Sequence, residues 1–594
     1  MANAPNPAIQ PPASRIATPS PDPPAGSRAR VSSAPILDLR SATPPDHAGF
    51  GPIRAPHPPP RRAGPAVFAL ALGLLLLAGL AFRIYLLSRF YTVPDADQTI
   101  VALMARHVQQ GELPVFYWGQ PYTGAGDAYL GAALFALFGQ HDALIHVPAL
   151  AGSMAFVALS CVLAWRLYGP GIAILCALYL GIAPALLIDW GFWAGSGYLE
   201  TMALGTGALL LALPPPDPFT PTRPWRRLPA AFLLLGVALW VQPVAAYYLL
   251  AVLALLAGRI TAAVRLPRRW PTGLALSLTC LAAIAAGAAP LLIFNIQHDA
   301  ATLAFLTERA TSLTPATVLA RALLWAAPVV LGPMPPTTDT GYFGRFILDH
   351  YPLYGAALGL VLVLLARGLV LWRAVLRRLR TLFTANPAPD AALLVLGLAL
   401  LAGYLTSSWG AERWSGSQPR YLLPIYSLAP LVLRACLPRS PLARHYAVLG
   451  LAVLALVGAN AYVNNTTFAR DDLRPLARLL QARGITAVYG DYWAVVPLTY
   501  DSDERIVGVA TGDDLSKGRN NRYSPYLRAA AASTHYAWVV RTGSARQRAA
   551  AACLATLHSR YTLLTWRDQT IYDRPTARAF PWWNGGRCPT APSR

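Results

Sequence analysis

The sequence predicts an α-helical polytopic membrane protein with a small C-terminal soluble α/β domain, and three observations carry that reading. Of its 594 residues 55% are hydrophobic and only 13% charged, with a mean hydropathy of +0.41, whereas a soluble domain averages about 25% charged residues. Apolar runs able to span a bilayer recur from about residue 65 to about 463. From about 464 onward the composition turns soluble, with short helical and strand patterns.

Residues 1–63 are rich in Pro, Ala, Ser and Arg and poor in aromatics. They cannot bury enough surface to offset their ordering entropy, so a disordered tail is expected. The first apolar run, about 65–88, lies too far in for a cleaved signal and is long enough to span. Seven Arg precede it, which puts the tail in the cytoplasm and the following loop on the other side.

That loop, about 89–143, carries acids, aromatics and glycines that no span would tolerate, above all from Pro94 to Asp127. Asp95 reads as a helix N-cap, with Gln98 closing a capping box. Asp97 is thereby left free to face a substrate. Farther on, Phe116, Tyr117, Trp118, Gln120 and Tyr122 supply the aromatic faces and amide that hold a sugar ring. An interfacial amphipathic segment with aromatic anchors is the plainer alternative.

The run 128–139 is apolar but short of the roughly 20 residues a span needs. If it lies in the interface, spans near 144–166, 171–189, 198–213, 228–241, 243–257, 272–294, 350–372, 390–407, 421–436 and 446–463 alternate sides. Every Arg-rich loop then falls in the cytoplasm, including those with Arg223, Arg226 and Arg227, with Arg265, Arg268 and Arg269, and with Arg377, Arg378 and Arg380. About eleven transmembrane helices plus outer-face surface helices follow. The net charge of +22 is on this reading a topology signal, and no nucleic-acid partner is implied.

The same parity collects three further loops on the outer face. One runs from Asp189 to Tyr198, with Glu200 just inside the next span; a long one covers about 295–349; the third, Trp409–Tyr421, carries Arg413 and Arg420. A charge at membrane depth costs about 2.5–3.5 kcal/mol on insertion scales, which makes Glu200 and Arg420 functional candidates. Snorkelling to the headgroups is the alternative for Arg420.

In the C-terminal domain, residues 464–594, helices are expected over Asp472–Arg483 and Arg546–His558, and strands in GITAVYGDYW and YAWVVRT. Cys553 and Cys588 fall in the oxidising compartment on this topology, and a bridge between them is expected. The other four of the six cysteines lie in or beside apolar runs, and no pair has metal-finger spacing.

No Walker loop, HExxH pair or Ser-His-Asp signature is present. The order of features is more telling: a long first span, an acidic loop with Asp97, a helix with Arg106 and His107, then FYWGQPY, LFALFG, GYLE and a late RYLLPIY. This order, over roughly 65–463, resembles the type C glycosyltransferases, closest to bacterial relatives of the protein O-mannosyltransferases and lipid A aminoarabinose transferases. The resemblance implies a multi-pass protein of the bacterial inner membrane that moves a sugar, with inversion, from a polyprenyl-phosphate donor to a hydroxyl on a glycan, lipid or protein acceptor. It matches Asp97 to the catalytic Asp of the first loop. The chain departs from the common Asp-Glu pair in having Gln98, and it lacks the Glu-Lys often seen where Gly119 and Gln120 stand.

The residues suit that chemistry on their own terms. A carboxylate that takes the acceptor's proton contributes about 10²–10⁴-fold, and an Arg neutralises a phosphate leaving group without a metal. Asp97 is the expected base and Arg420 the expected phosphate partner, with Arg413, Tyr198 and Tyr421 beside the substrate. Glu200 and Asp189 could orient the acceptor or a cation, or serve structure alone. No cofactor is called for, and help from a divalent cation stays open. A lipid or glycan transporter, or a glycan-assembly subunit without catalysis, would explain the spans equally well. Against a transporter, the halves show no internal repeat.

Overall fold

The computed structural model describes residues 65–90, 93–182, 184–213, 224–264, 270–307, 314–331, 351–384, 388–406, 418–438, 440–465, 472–518 and 520–576. The expected tail, 1–63, lies outside them. Helices occupy the expected apolar runs: Pro65–Phe90, Val147–Tyr168, Tyr198–Ala212, Pro224–Val241, Ala245–Val264, Tyr351–Arg380, Ala391–Thr406 and Pro441–Asn465. The short run after the first loop is likewise a helix, Gly126–Phe138. Four helices among the described residues are long and apolar enough to cross a membrane, and six shorter ones are apolar.

Three expected spans are broken, each beside a proline. The run 171–189 splits into Pro170–Ile182 and Ala185–Trp190, with Pro184 as the N-cap of the second. The run 272–294 becomes Trp270–Gly287 and Ala289–Gln297, bent by 69°, with a proline in the first turn after the break. The run 421–436 begins as a 3-10 helix, Gln418–Leu428, with Pro424 inside it, and only then becomes the short helix Ala429–Cys436. Proline removes a backbone donor and clashes with the preceding turn, which ends an α-helix.

The first of these breaks is repaired by a charge. Arg83, fully buried in Pro65–Phe90, donates to the carbonyls of Gly181 (2.5 Å), Leu180 (3.1 Å) and Gly79 (3.3 Å). Leu180 and Gly181, at the end of Pro170–Ile182 where carbonyls lack a helical partner, thus gain a donor. Close backbone approach packs other helices: a Cβ on Gly236 would lie 2.2 Å from the Ile284 carbonyl, and one on Gly287 2.4 Å from that of Leu233. Small residues at such crossings are how apolar helices gain contact where burial from water gives no drive.

The C-terminal domain is a five-stranded sheet of β1 (Ala487–Gly490), β2 (Val507–Ala510), β3 (Tyr536–Arg541), β4 (Thr562–Trp566) and β5 (Gln569–Asp573), in the order β2-β1-β3-β5-β4. β1 runs parallel to β2 and β3, and β5 is antiparallel to β3 and β4. Only four residues of the expected first strand are extended. Asp491 then caps a helix, Tyr492–Asp501, by accepting from the Trp493 N–H at 2.9 Å. The helices expected at either end are Arg474–Ala482 and Ala545–Thr556. Cys553, on the latter, is buried and disulfide-bonded; its expected partner Cys588 lies outside the described residues.

This domain packs onto the first loop. Ile100, Leu103 and Met104 of the helix Ala96–Gln109 share one apolar core with Val495, Val496 and Ile506.

Candidate active site

The helix Ala96–Gln109 begins as its sequence predicts: Asp95 accepts from the Gln98 N–H at 2.8 Å, and the Gln98 side chain accepts from the Asp95 N–H at 3.0 Å. With Asp95 engaged, Asp97, in the first turn of the helix, faces a cavity of about 60 Å³. Five more of the expected residues line it: Tyr117, Gln120 and Tyr122 from the first loop, Tyr198 from the second, and Arg420 from the 3-10 helix. Trp190 and Trp193, stacked at 5.1 Å, add an aromatic wall.

The walls are held by the loops' own backbone. Gly195 donates its N–H to Asp127 at 2.6 Å, and its φ of +78° belongs to glycine. A Cβ there would also lie 2.6 Å from a Val101 methyl. Gln242, unforeseen in the sequence, sits between two helices and donates to the Ser196 carbonyl (2.6 Å) and the Thr123 hydroxyl (3.2 Å), tying the two loops together. Only its position just before a proline, at a helix end, could have flagged it.

Arg420 presents its guanidinium over the rings of Trp190 (5.3 Å) and Tyr421 (5.0 Å) and donates to the Tyr421 hydroxyl at 3.0 Å. No carboxylate pairs with it among the described residues. Tyr421 thus stands behind Arg420 rather than on the cavity. Asp97 accepts at Oδ1 from the Tyr492 hydroxyl (2.6 Å) and from Arg522 Nη2 (2.8 Å), two residues of the C-terminal domain that the sequence did not reveal. Burial pushes the Tyr492 phenol well above its usual range, and the charge of Asp97 adds to this. Burial opposes the charge on Arg522, but Tyr117, Tyr492 and Asp97 outweigh it and keep the guanidinium cationic.

Other expected residues lie elsewhere. Trp118 points away from the cavity and stacks on Tyr523 at 4.0 Å, because the C-terminal domain covers that face of the loop. Asp189 is buried in the helix Ala185–Trp190. Glu200, in the first turn of Tyr198–Ala212, turns into the bundle against Gly152, with neither carboxylate oxygen hydrogen-bonded. Arg413 lies outside the described residues.

Next to Trp118 a second polar cluster joins the loop to the C-terminal domain. His107 contacts Glu504 and Glu112, each at 2.9 Å, while Tyr523 donates to Glu112 (2.6 Å) and Tyr526 to Glu504 (2.9 Å). Burial works against a charged imidazole, but hydrogen bonds and charge from Glu504 and Glu112 prevail and raise the His107 pKa. Asp503 and Glu504 hold left-handed φ values of 53° and 61° to reach this surface.

Among the described residues no three His, Cys, Asp or Glu side chains are placed to hold a metal ion. In a chain whose described residues include four helices long and apolar enough to cross a membrane, the cavity thus opposes the Asp97 carboxylate to the Arg420 guanidinium among aromatic rings. No protein-family model matches the sequence, and no curated protein matches it. The fold nevertheless has solved counterparts. ArnT from Cupriavidus metallidurans bound to undecaprenyl phosphate superposes with a TM-score of 0.54 at 13% identity, covering 86% of this chain and 97% of that one. Its apo state gives 0.51 at the same identity and coverage. An Archaeoglobus fulgidus oligosaccharyltransferase, in complex with zinc and sulfate, gives 0.50 at 11% identity over 79% and 68% of the two chains. The chain therefore shares the fold of these solved proteins.

Proposed function

We propose that the protein is an inverting glycosyltransferase that moves a sugar from a polyprenyl-phosphate donor to a hydroxyl acceptor on the outer face of the bacterial inner membrane. The observation that carries this reading is the convergence of Asp97 and Arg420 on one cavity in a chain with this fold. Asp97 takes the acceptor hydroxyl's proton as that oxygen attacks the anomeric carbon. The sugar–phosphate C–O bond breaks on the opposite face, and the electron pair leaves with the phosphate. Its charge falls to Arg420, a planar donor set suited to bidentate phosphate contact. Tyr122, Tyr198 and Gln120 flank the sugar.

Room for the lipid lies along the same element. The 3-10 helix that carries Arg420 continues through Ile425, Tyr426 and Leu428 along an apolar cavity of about 360 Å³, lined also by Leu360, Val448 and Leu451. The wild-type protein in membranes, supplied with a labelled polyprenyl-phosphate sugar and a lipid or glycan acceptor fraction, should transfer label. Arg420→Ala should lose most of that transfer, and polyprenyl phosphate should protect the wild type but not the variant against thermal unfolding. Equal protection of both would remove Arg420 from the donor site. Cysteines placed near Arg268 and Ser524 should label from opposite sides; labelling from one side would overturn the proposed sidedness.

A further inference from the structure

The catalytic reading above leaves the C-terminal domain without a role, yet among the described residues that domain supplies both side chains that touch the Asp97 carboxylate. We propose that Tyr492 and Arg522 are positioning residues of the transfer reaction, holding Asp97 Oδ1 so that Oδ2 takes the acceptor's proton. This rests on the glycosyltransferase reading.

Oδ1 receives two donors, and Arg522 Nε also donates to the Tyr492 hydroxyl at 3.0 Å, so the three side chains close a ring of hydrogen bonds. Oδ2 has no partner among the described residues, and Asp97 lines the cavity. A carboxylate fixed through one oxygen loses the freedom to rotate, and the other oxygen stays aimed where a hydroxyl must arrive. Charge-assisted bonds of this kind are about twice as strong as neutral ones, enough to hold a side chain that is itself 31% exposed.

Arg522 does not reach the donor. It is absent from the cavity lining, its side chain is 10% exposed, and its guanidinium lies between the rings of Tyr117 (5.0 Å) and Tyr492 (5.7 Å). Its approach depends on Gly119, whose φ is +71° and where a Cβ would lie 3.2 Å from Arg522 Cα. The next residue, Tyr523, anchors the segment by stacking on Trp118 and by its bond to Glu112. In the reaction the acceptor's proton passes to Oδ2 while Arg522 and Tyr492 keep theirs. The neutral acid then gives the proton to water through the cavity.

The test is steady-state transfer by the purified full-length protein with Tyr492→Phe, Arg522→Lys and Arg522→Gln, each checked for its thermal unfolding transition. Arg522→Gln should lower kcat by about tenfold or more with the donor KM within about twofold, the pattern of an interaction that acts on the chemical step. Arg522→Lys should restore part of that loss. In an Asp97→Asn background, Arg522→Gln should cost nothing further, because the two act as one unit. A raised donor KM at unchanged kcat, or an additive loss in the Asp97→Asn background, would overturn the proposal. Should Arg522→Gln unfold, Tyr492→Phe carries the same decision, with a smaller expected loss. A wild type that transfers no sugar sinks the glycosyltransferase reading and this inference with it, whereas transfer indifferent to all three substitutions sinks this inference alone.

Discussion

Two arginines in the helical region, Arg83 fully buried and Arg420 half-buried, are handled in opposite ways. Arg83 spends its guanidinium on three backbone carbonyls where a proline interrupts the neighbouring helix. Arg420 meets ring faces and the Tyr421 hydroxyl, and it fronts a cavity. A buried cation with its donors satisfied by carbonyls is part of the scaffold. A cation held by aromatic faces and by the Tyr198 and Tyr421 phenols, with no carboxylate partner among the described residues, suits an incoming anion.

Exchanging either residue tests the contrast. Arg420→Gln should reduce kcat/KM for the donor by about two orders of magnitude or more, in line with loss of a charge-stabilising donor, while the unfolding transition moves little. Arg83→Gln should do the reverse. It strands carbonyls at roughly 1–3 kcal/mol each, so protein level and melting temperature fall, while molecules that fold keep their turnover. Loss of turnover in Arg83→Gln at unchanged melting would erase the distinction.

Gly119→Ala comes next in size. It forces an L residue into a left-handed conformation, a strain of about 1–3 kcal/mol, and crowds Arg522. A severalfold loss of kcat with little change in donor KM is expected, read in the same transfer assay.

The cluster around His107 should make domain docking depend on pH. Its pKa is raised in the folded protein, so its contribution is complete below histidine's ordinary pKa and is lost as pH rises through the raised value. Glu504 and Glu112 have lowered pKa values, so theirs holds above the ordinary carboxylate range and is lost as pH falls through the lowered values. Hydrogen exchange in the segment 523–526 should therefore slow between these limits and quicken on either side. His107→Gln should remove the alkaline limb and leave the acid one.

Much of this was legible in the sequence because the relevant rules are local. Apolar run length located the helices, and the Asp95–Gln98 spacing located the cap that frees Asp97. Arg420 stood out as a charge at a span edge, and Tyr198 as the last residue of the second loop. The breaks at Pro184 and Pro424 were equally present in the sequence, but hydropathy averages across a proline. Trp118 misled because an aromatic in a glycine-rich loop looks the same whether it faces a sugar or another domain. Tyr492, Arg522 and Gln242 were invisible for a different reason: each meets its partners across more than a hundred residues of chain or at a helix junction, and no periodicity encodes such a meeting. Glu200 was noticed for its cost, and the structure turns it into the bundle.

The proposed transfer turns on one carboxylate, and the comparison of Asp97→Asn with Asp95→Asn decides its role. Asparagine caps about as well as aspartate, so Asp95→Asn should transfer sugar within about twofold of the wild type. Asp97→Asn keeps the size of the side chain but removes its basicity, and transfer should fall by about two or more orders of magnitude. Both are measured at matched protein level with a labelled polyprenyl-phosphate sugar, and the anomer formed by the wild type is read by NMR. An inverted product that disappears in Asp97→Asn alone is the result expected; full transfer in Asp97→Asn, or a product with retained configuration, would contradict the assignment of Asp97 as the base.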